Sequence, residues 1–141
     1  MSKTMTPSLS AADGEALWSP YDQPTYRAVL DLIQPTDVVV DIGAGDLRLA
    51  RQMICRASKV YAIEINPRLL RRGCKPPFAN PQRLVPVCAD ARQFEIPSDA
   101  SVGVLLMRHC LNFRLYAQKL KQAGVERLIT NARWRMGVEC V

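Results

Sequence analysis

The chain has 141 residues, enough for one domain with a buried core, and its 48% hydrophobic and 23% charged content is that of an ordinary globular protein. Charges interrupt the apolar runs well before the length of a membrane-spanning helix, so we expect no membrane-spanning segment. The net charge of +6, from 19 basic and 13 acidic residues, permits an acidic partner without requiring one.

Residues 1–17 are predicted to be a flexible N-terminal leader, followed by one domain over residues 18–141. Met1–Ala12 has one lysine, scattered hydroxyl groups and no apolar centre, so it is unlike a secretory signal. The cysteines are odd in number and form no Cys-x-x-Cys pair, so neither disulfides nor a metal site is expected. We therefore expect a cytoplasmic protein, with Cys55 and Cys88 packed in the core.

Helix and strand patterns alternate along the chain, which is typical of a parallel sheet covered by helices on both faces. The spacing of apolar residues predicts a helix over Thr25–Ile33 and a strand over about Asp37–Asp41. After a glycine turn, a second helix is predicted, with an apolar stripe and an outward arginine face. The stripe is Leu47, Ala50, Met53, Ile54 and Ala57, and the outward residues are Arg48, Arg51 and Arg56.

The middle of the chain predicts two strands joined by a short helix. The second strand is Val60–Ile65, and Pro67 begins a helix that ends near Gly73, because proline is favoured in the first turn. The proline-rich residues 75–81 are predicted as a loop, and Leu84–Ala91 as the third strand.

The last third predicts a fourth strand over Val102–Met107 and a helix over about Phe113–Gln122 that Gly124 caps. Val125–Thr130 is the fifth strand, and residues 136–141 can supply at most one more short strand. The predicted sheet is therefore minimal, C-terminally shortened, or completed by a second copy or a partner subunit.

The strongest functional pattern is the buried strand and glycine turn of Val38–Asp46, followed by the strand and acid of Val60–Glu64. Gly43 and Gly45 allow the backbone to approach a ligand that a Cβ would exclude. Glu64, at the end of the next strand, is placed to accept hydrogen bonds from ribose hydroxyls. We therefore expect a ligand that contains adenosine.

The neighbours of the glycines indicate which adenosine ligand is bound. A pyrophosphate-binding turn needs a third glycine or alanine where Arg48 stands, which disfavours an NAD-dependent oxidoreductase. Asp41 would repel a pyrophosphate but suits the positively charged methionine amino group of S-adenosylmethionine. Here the chain resembles the class I S-adenosylmethionine-dependent methyltransferases, whose first motif is an acid, an apolar residue and Gly-x-Gly-x-Gly. Residues 41–47 match this motif except at Leu47, which replaces the third glycine.

The resemblance implies a Rossmann-like α/β fold and S-adenosylmethionine as the cofactor. It implies that Asp41, Gly43 and Gly45 surround the methionine part, that Glu64 binds the ribose and that Asp90 meets the adenine amino group. A finer resemblance to small protein-lysine methyltransferases is seen at three places: Pro20-Tyr21, residues 41–48 and Glu64-Ile65-Asn66-Pro67.

The residues after the fourth strand are the candidates for acceptor chemistry, since open α/β folds bind ligands at the carboxyl ends of their strands. Histidine is the side chain whose unperturbed pKa lies near working pH, so His109 is the candidate general base. The Asn-Pro-Pro-Tyr or Asp-Pro-Pro-Tyr type of motif is missing, which disfavours adenine N6 and glutamine as acceptors. The acceptor is left as a protein, RNA or small molecule, and the alternative is a non-catalytic S-adenosylmethionine-binding module that acts with a partner subunit.

Two arginine-rich stretches make RNA one of these candidates. The first comprises Arg68, Arg71, Arg72 and Lys75, and the second comprises Arg133, Trp134 and Arg135. An aromatic ring flanked by arginines can stack on a base while the arginines neutralise phosphates. Equally, the first stretch can be a solvated face and Trp134 can be buried under the sheet.

Overall fold

The computed structural model describes residues 18–75, 82–108, 110–132 and 137–141. The predicted leader and residues 76–81 of the predicted loop lie outside these ranges. No helix in the described ranges is long and apolar enough to cross a membrane. The elements are α1 (Gln23–Leu30), β1 (Val38–Ile42), α2 (Arg48–Met53), β2 (Lys59–Glu64), α3 (Pro67–Gly73), β3 (Leu84–Cys88), β4 (Val102–Leu105), α4 (Phe113–Gln122), β5 (Arg127–Thr130) and β6 (Glu139–Cys140).

The strands form one sheet in the order β3-β2-β1-β4-β5-β6. All neighbours are parallel except β6, which pairs antiparallel with β5. On β1, Asp41 lies level with Ala62 of β2 and Val104 of β4. The chain runs outward from β1 to β3 and then returns to β4 on the other side of β1, which is the switch point where such sheets bind ligands. The predicted parallel α/β sheet with one short final strand is confirmed.

Helices cover both faces of the sheet, as predicted. Val39 of β1 packs in the core with Val29 of α1. The next residue, Val40, lies in the opposite core with Tyr116 and Leu120 of α4. Because β1 is buried on both faces, its sequence is a continuous apolar run with Asp41 as the exception.

The observed bounds follow from hydrogen bonds at the ends of the helices. The predicted bounds of α3 and α4 match the observed ones. Gly124 adopts a φ of +87°, and the Val125 N–H then reaches the Leu120 carbonyl at 2.9 Å, so the predicted cap is confirmed. Helix α2 ends at Met53, before the end of its predicted apolar stripe, because the chain turns there. The Arg83 guanidinium donates a hydrogen bond to the Ile54 carbonyl, which has no partner within the helix.

The prediction that Cys55 and Cys88 belong to the core is wrong, since both are exposed. Cys55 follows the end of α2 and lies in the turn that leads to β2. Cys88 is the last residue of β3, which has a strand neighbour on one side only. Apolar sequence neighbours therefore did not predict burial for Cys55, which follows the end of a helix, or for Cys88, which lies on an edge strand.

A polar cluster joins the amino-terminal ends of the strands, opposite the candidate site. Asp37 is buried and accepts hydrogen bonds from the Gln34 N–H at 2.7 Å, the Ser101 hydroxyl at 2.8 Å and the Arg127 guanidinium at 2.7 Å. Burial acts to raise the pKa of Asp37, but the hydrogen bonds and the Arg127 charge outweigh it and hold that pKa below its ordinary value. The cluster therefore contains an ionised, fully paired carboxylate.

Candidate functional site

A cavity of about 610 Å³ opens at the carboxyl ends of the central strands, a size typical of cofactor sites. Three residues predicted to bind a cofactor, Gly43, Glu64 and Asp90, lie in its wall. The other lining residues are Trp18, Ser19, Pro20, Tyr21, Ile42, Ile63, Ile65, Ala89, Ala91, Arg92, Leu106, Met107, Arg108, Cys110, Asn112 and Tyr116. The lining thus comes from the ends of β1, β2, β3 and β4 and the residues that follow them, from the segment before α1 and from Tyr116 of α4.

The glycine turn after β1 uses backbone conformations that favour glycine. Gly43 has a φ of +74° and Gly45 a φ of +61°. A Cβ on Gly43 would lie 2.5 Å from the Met107 methyl carbon, and a Cβ on Gly45 would overlap the Trp18 ring. The absence of a side chain at Gly43 and Gly45 therefore allows the backbone of the turn to pack against Met107 and Trp18.

Leu47, at the position of the missing third glycine, keeps a glycine-like backbone. Its φ is +68°, in the left-handed region, while its side chain is fully buried. Such a conformation costs a non-glycine residue about 1 to 2 kcal/mol, and burial of the leucine side chain offsets a cost of that size. The departure from the motif therefore changes the side chain and preserves the turn.

Gly73, at the end of α3, makes room for this leucine. A Cβ on Gly73 would lie 2.6 Å from Leu47 Cγ and would overlap the Asp46 carbonyl oxygen. The sequence pattern predicts Gly73 only as the residue near which the helix ends. Its close packing against the start of α2 is a long-range contact, which the local pattern does not contain.

Glu64 fastens the glycine turn to the end of β2. It is buried, and its Oε1 accepts the Gly45 N–H at 2.7 Å while its Oε2 accepts the Asn66 N–H at 2.9 Å. An ionised carboxylate oxygen can accept more than one hydrogen bond, so this arrangement leaves capacity toward the cavity. Glu64 can therefore hold both the turn and a ligand hydroxyl.

Asp41 carries an unsatisfied oxygen in the interior. The residue is 4% exposed, and among the described residues its Oδ2 has no hydrogen-bond partner. Burial, together with the negative charge of Glu64, raises the pKa of Asp41 to about 7. A buried oxygen of this kind is costly unless a donor or cation pairs with it.

Asp41 faces a small recess of about 30 Å³ that adjoins the main cavity and shares the walls formed by Trp18, Tyr21 and Gly43. A positively charged amino group placed there would supply the missing partner. The residues present therefore fit the methionine end of S-adenosylmethionine, as the resemblance in sequence implies.

Asp90, after β3, is paired with a residue that sequence reasoning did not consider. The Arg92 guanidinium donates to its Oδ1 at 3.0 Å and to its Oδ2 at 2.6 Å, and the Arg92 N–H donates to Oδ1 at 2.9 Å. These hydrogen bonds from Arg92 lower the pKa of Asp90 below its ordinary value. Asp90 therefore lines the cavity as an ionised acceptor.

The segment before α1 forms a wall of the site, a role that the sequence did not predict. The Arg108 N–H donates to the Tyr21 hydroxyl oxygen at 3.1 Å, which joins this segment to the residues after β4. The Arg48 guanidinium lies 5.4 Å from the Trp18 ring centre and pairs with Asp46 at 2.6 Å. The segment therefore contacts both the residues after β4 and the start of α2.

Cys110 lines the cavity after β4, where the sequence predicts the acceptor. Burial raises the pKa of the Cys110 thiol, so this group is protonated at neutral pH. The candidate base His109 and the arginine-rich stretch Arg133–Arg135 lie outside the described residues. Within the described ranges, no group of three or more His, Cys, Asp or Glu residues could hold a metal ion.

Comparisons with known proteins agree with this geometry. A family model described as ribosomal RNA adenine dimethylase matches residues 22–128. No curated protein sequence matches the chain.

Several solved structures have a similar fold. The 23S rRNA methyltransferase ErmE superimposes with a TM-score of 0.68 at 22% identity over 78% of this chain and 46% of its own. An RNA methyltransferase from Salinibacter ruber in complex with S-adenosyl-L-homocysteine gives 0.68 at 22% identity, over 79% and 76%. Precorrin 8w decarboxylase from Methanobacterium thermoautotrophicum gives 0.68 at 20%, over 85% and 68%. At these identities the structures establish the fold, and the chain spans less than half of the ErmE chain.

Proposed function

Because the chain belongs to the ribosomal RNA adenine dimethylase family, we propose that it is an S-adenosylmethionine-dependent methyltransferase with an RNA acceptor. The recognition of a class I methyltransferase from sequence is confirmed at the level of family and fold. The observation that carries the proposal of activity is the unpartnered Oδ2 of buried Asp41, beside a cavity lined by Glu64 and Asp90.

In the proposed complex, each predicted residue has a distinct role. Asp41 binds the methionine amino group, which pairs with its buried oxygen. Glu64 accepts the ribose hydroxyls with the acceptor capacity left beside its two backbone bonds. Asp90 accepts from the adenine amino group, and the turn at Gly43 and Gly45 allows close approach of the backbone.

When bound, S-adenosylmethionine would supply a methyl group on a positively charged sulfur. The acceptor's lone pair would bond to the methyl carbon as the carbon–sulfur bond breaks, and S-adenosylhomocysteine would be the leaving group. The chain contributes mainly by orientation, since holding two reactants in line removes much of the barrier. Met107, Asn112 and Tyr116 line the cavity on the side that follows β4, where we place the acceptor. His109 is proposed as the base that takes the acceptor's proton.

Electrostatics support RNA as the acceptor class. Arg68, Arg71 and Arg72 lie exposed on α3, which begins beside the cavity wall at Ile65. Arg92 and Arg108 lie in the wall itself. Together with a net charge of +6, these cations would attract a phosphate backbone. An RNA acceptor also fits the cytoplasmic location expected from sequence.

The proposal also includes a partner subunit or a second copy of the chain that completes the sheet at its β6 edge.

The atom that receives the methyl group is a separate question. The family model's description names adenine, whereas residues 107–112 lack the motif that the sequence analysis expects for methylation at adenine N6. Nucleoside analysis of RNA methylated by the chain would identify the base and the atom.

The test supplies the purified chain with S-adenosylmethionine labelled in its methyl group and with ribosomal RNA, after calorimetric titration with S-adenosylhomocysteine. We expect binding and label that ribonuclease, not protease, releases from the product. Label in protein would contradict an RNA acceptor. Binding without transfer to any acceptor would favour the alternative of a non-catalytic module, and absence of binding would contradict the cofactor assignment.

A further inference from the structure

Leu111 is a highly exposed apolar side chain next in the chain to two residues of the cavity wall. It is 98% exposed, whereas the other exposed large hydrophobic residues of the described ranges are between 39% and 51% exposed. Single exposed leucines are ordinary on protein surfaces. What distinguishes Leu111 is its place, because its two neighbours in the chain, Cys110 and Asn112, both line the cavity.

The backbone on both sides of Leu111 is fixed. The Cys110 N–H donates to the Met107 carbonyl at 3.2 Å, and the Tyr116 N–H donates to the Asn112 carbonyl at 3.0 Å as α4 begins. Leu111 therefore projects from a hydrogen-bonded turn. Its side chain is exposed to solvent beside residues that line the cavity.

Exposed arginines flank Leu111 in the sequence. Arg108 precedes it and Arg114 follows it, and both are exposed. Arg92 belongs to the same cavity wall as Cys110 and Asn112. One exposed apolar side chain with arginines three residues before and after it in the sequence suits a nucleic acid, which presents stacked bases beside charged phosphates. A protein partner would more typically meet a broader apolar patch.

We propose that Leu111 inserts into the base stack of the RNA acceptor and fills the space that the target base leaves. This inference rests on the proposed function. A base must leave its stack to reach a reactive group inside a cavity, and unstacking costs a few kcal/mol. Apolar side chains that enter between bases stabilise the opened stack. Leu111 is thus a positioning residue, which acts on the stack beside the target.

The test compares Leu111→Ala with Leu111→Phe, which keeps a large apolar group. The matched control is Val141→Ala, a truncation of an exposed apolar residue that follows β6, 42% exposed. The probes are deproteinised ribosomal RNA, folded with magnesium, and the same RNA cut into short single-stranded fragments. Methyl transfer, S-adenosylhomocysteine affinity and the free energy of unfolding are measured for each variant.

We expect Leu111→Ala to lower kcat/KM on folded RNA roughly tenfold. Transfer to fragments, cofactor affinity and stability should stay unchanged, and Leu111→Phe should restore transfer to folded RNA. Full activity of Leu111→Ala on folded RNA, or an equal loss on folded RNA and on fragments, would overturn the inference while leaving the proposed function standing. A wild-type chain that binds the cofactor and methylates neither RNA would instead overturn the proposed function, and the inference with it.

Discussion

The backbone amide of Gly45 lies 2.7 Å from Oε1 of Glu64, so the turn after β1 is fastened to the last residue of β2. The same carboxylate accepts the Asn66 N–H. The residue proposed to bind the ribose is therefore also the residue that shapes the glycine turn, and its substitution has two separable effects.

We predict that Glu64→Ala weakens S-adenosylhomocysteine binding by on the order of 1.5 to 3 kcal/mol, because hydrogen bonds to a charged acceptor are lost. It should also lower the free energy of unfolding by about 1 to 3 kcal/mol, because two buried N–H groups lose their partner. Calorimetry and urea unfolding measure the two effects. If Glu64→Ala lowers stability but leaves the dissociation constant for S-adenosylhomocysteine unchanged, Glu64 stabilises the turn and does not bind the ribose.

Asp41 should make the stability of the free protein depend on pH. Its folded pKa of about 7 lies above the ordinary value of 3.8, so between these values the folded state holds more protons than the unfolded state. Stability from this group is therefore greatest at low pH and is lost as pH rises toward 7. Asp41→Asn should remove this dependence and stabilise the free protein above that pKa, as urea unfolding across the range would show.

The same residue predicts the opposite trend for cofactor affinity. An ionised Asp41 is the form that pairs with a cationic amino group, so affinity for S-adenosylhomocysteine should rise with pH until Asp41 is fully ionised. Below its pKa the expected loss is about tenfold for each pH unit. Asp41→Asn should bind weakly at every pH, and a variant with wild-type affinity would exclude Asp41 from the site.

Gly45 and Gly124 offer a matched pair of alanine substitutions. Both have positive φ, at +61° and +87°, so both variants should lose about 1 kcal/mol of stability from backbone strain. A Cβ on Gly45 would also overlap Trp18, while a Cβ on Gly124 meets nothing within 4 Å. Only Gly45→Ala should abolish S-adenosylhomocysteine binding; equal affinities in the two variants would contradict the proposed role of the turn.

Asp37 should stabilise the fold without contributing to the site. Asp37→Ala would leave the partly buried Arg127 without its carboxylate, and we expect a loss of about 3 kcal/mol in the free energy of unfolding. Since the pKa of Asp37 is lowered, its stabilisation is present above the ordinary pKa and is lost as pH falls through the folded value. Acid unfolding should therefore shift to higher pH in Asp37→Asn, with cofactor affinity in the remaining folded protein unchanged at neutral pH.

The parts of the fold that sequence reasoning predicted correctly are those with local causes. Pro67, preceded by the capping residue Asn66, defines the start of α3, and Gly124 defines the end of α4. Alternation of helix and strand defines the parallel sheet. Burial was harder to predict, because exposure of Cys55 and Cys88 depends on where an element ends and on which strand lies at the edge.

Of the five residues that the sequence assigns to the cofactor, Gly43, Glu64 and Asp90 line one cavity, because the ends of neighbouring parallel strands meet at one edge. Asp41 lines the adjoining recess, and Gly45 packs against Trp18 outside both linings. The sequence did not reveal the contacts between segments far apart in the chain. The bond from Arg108 to Tyr21 joins residues 87 positions apart, and the contact between Leu47 and Gly73 joins two helices. Such contacts depend on the assembled fold, which one sequence read locally does not contain.

The residues proposed to bind the cofactor and those proposed to face the acceptor are anchored differently. Asp41 and Glu64 belong to β1 and β2, interior strands with a neighbour on each side, and any change there disturbs the core. Residues 110–112 are held by backbone bonds to Met107 and Tyr116, their near neighbours in the chain. The turn at residues 110–112 is therefore exchangeable in principle. Replacing it with the equivalent turn of another methyltransferase should change which acceptor is methylated, while the strands that carry Asp41 and Glu64 keep the proposed cofactor site.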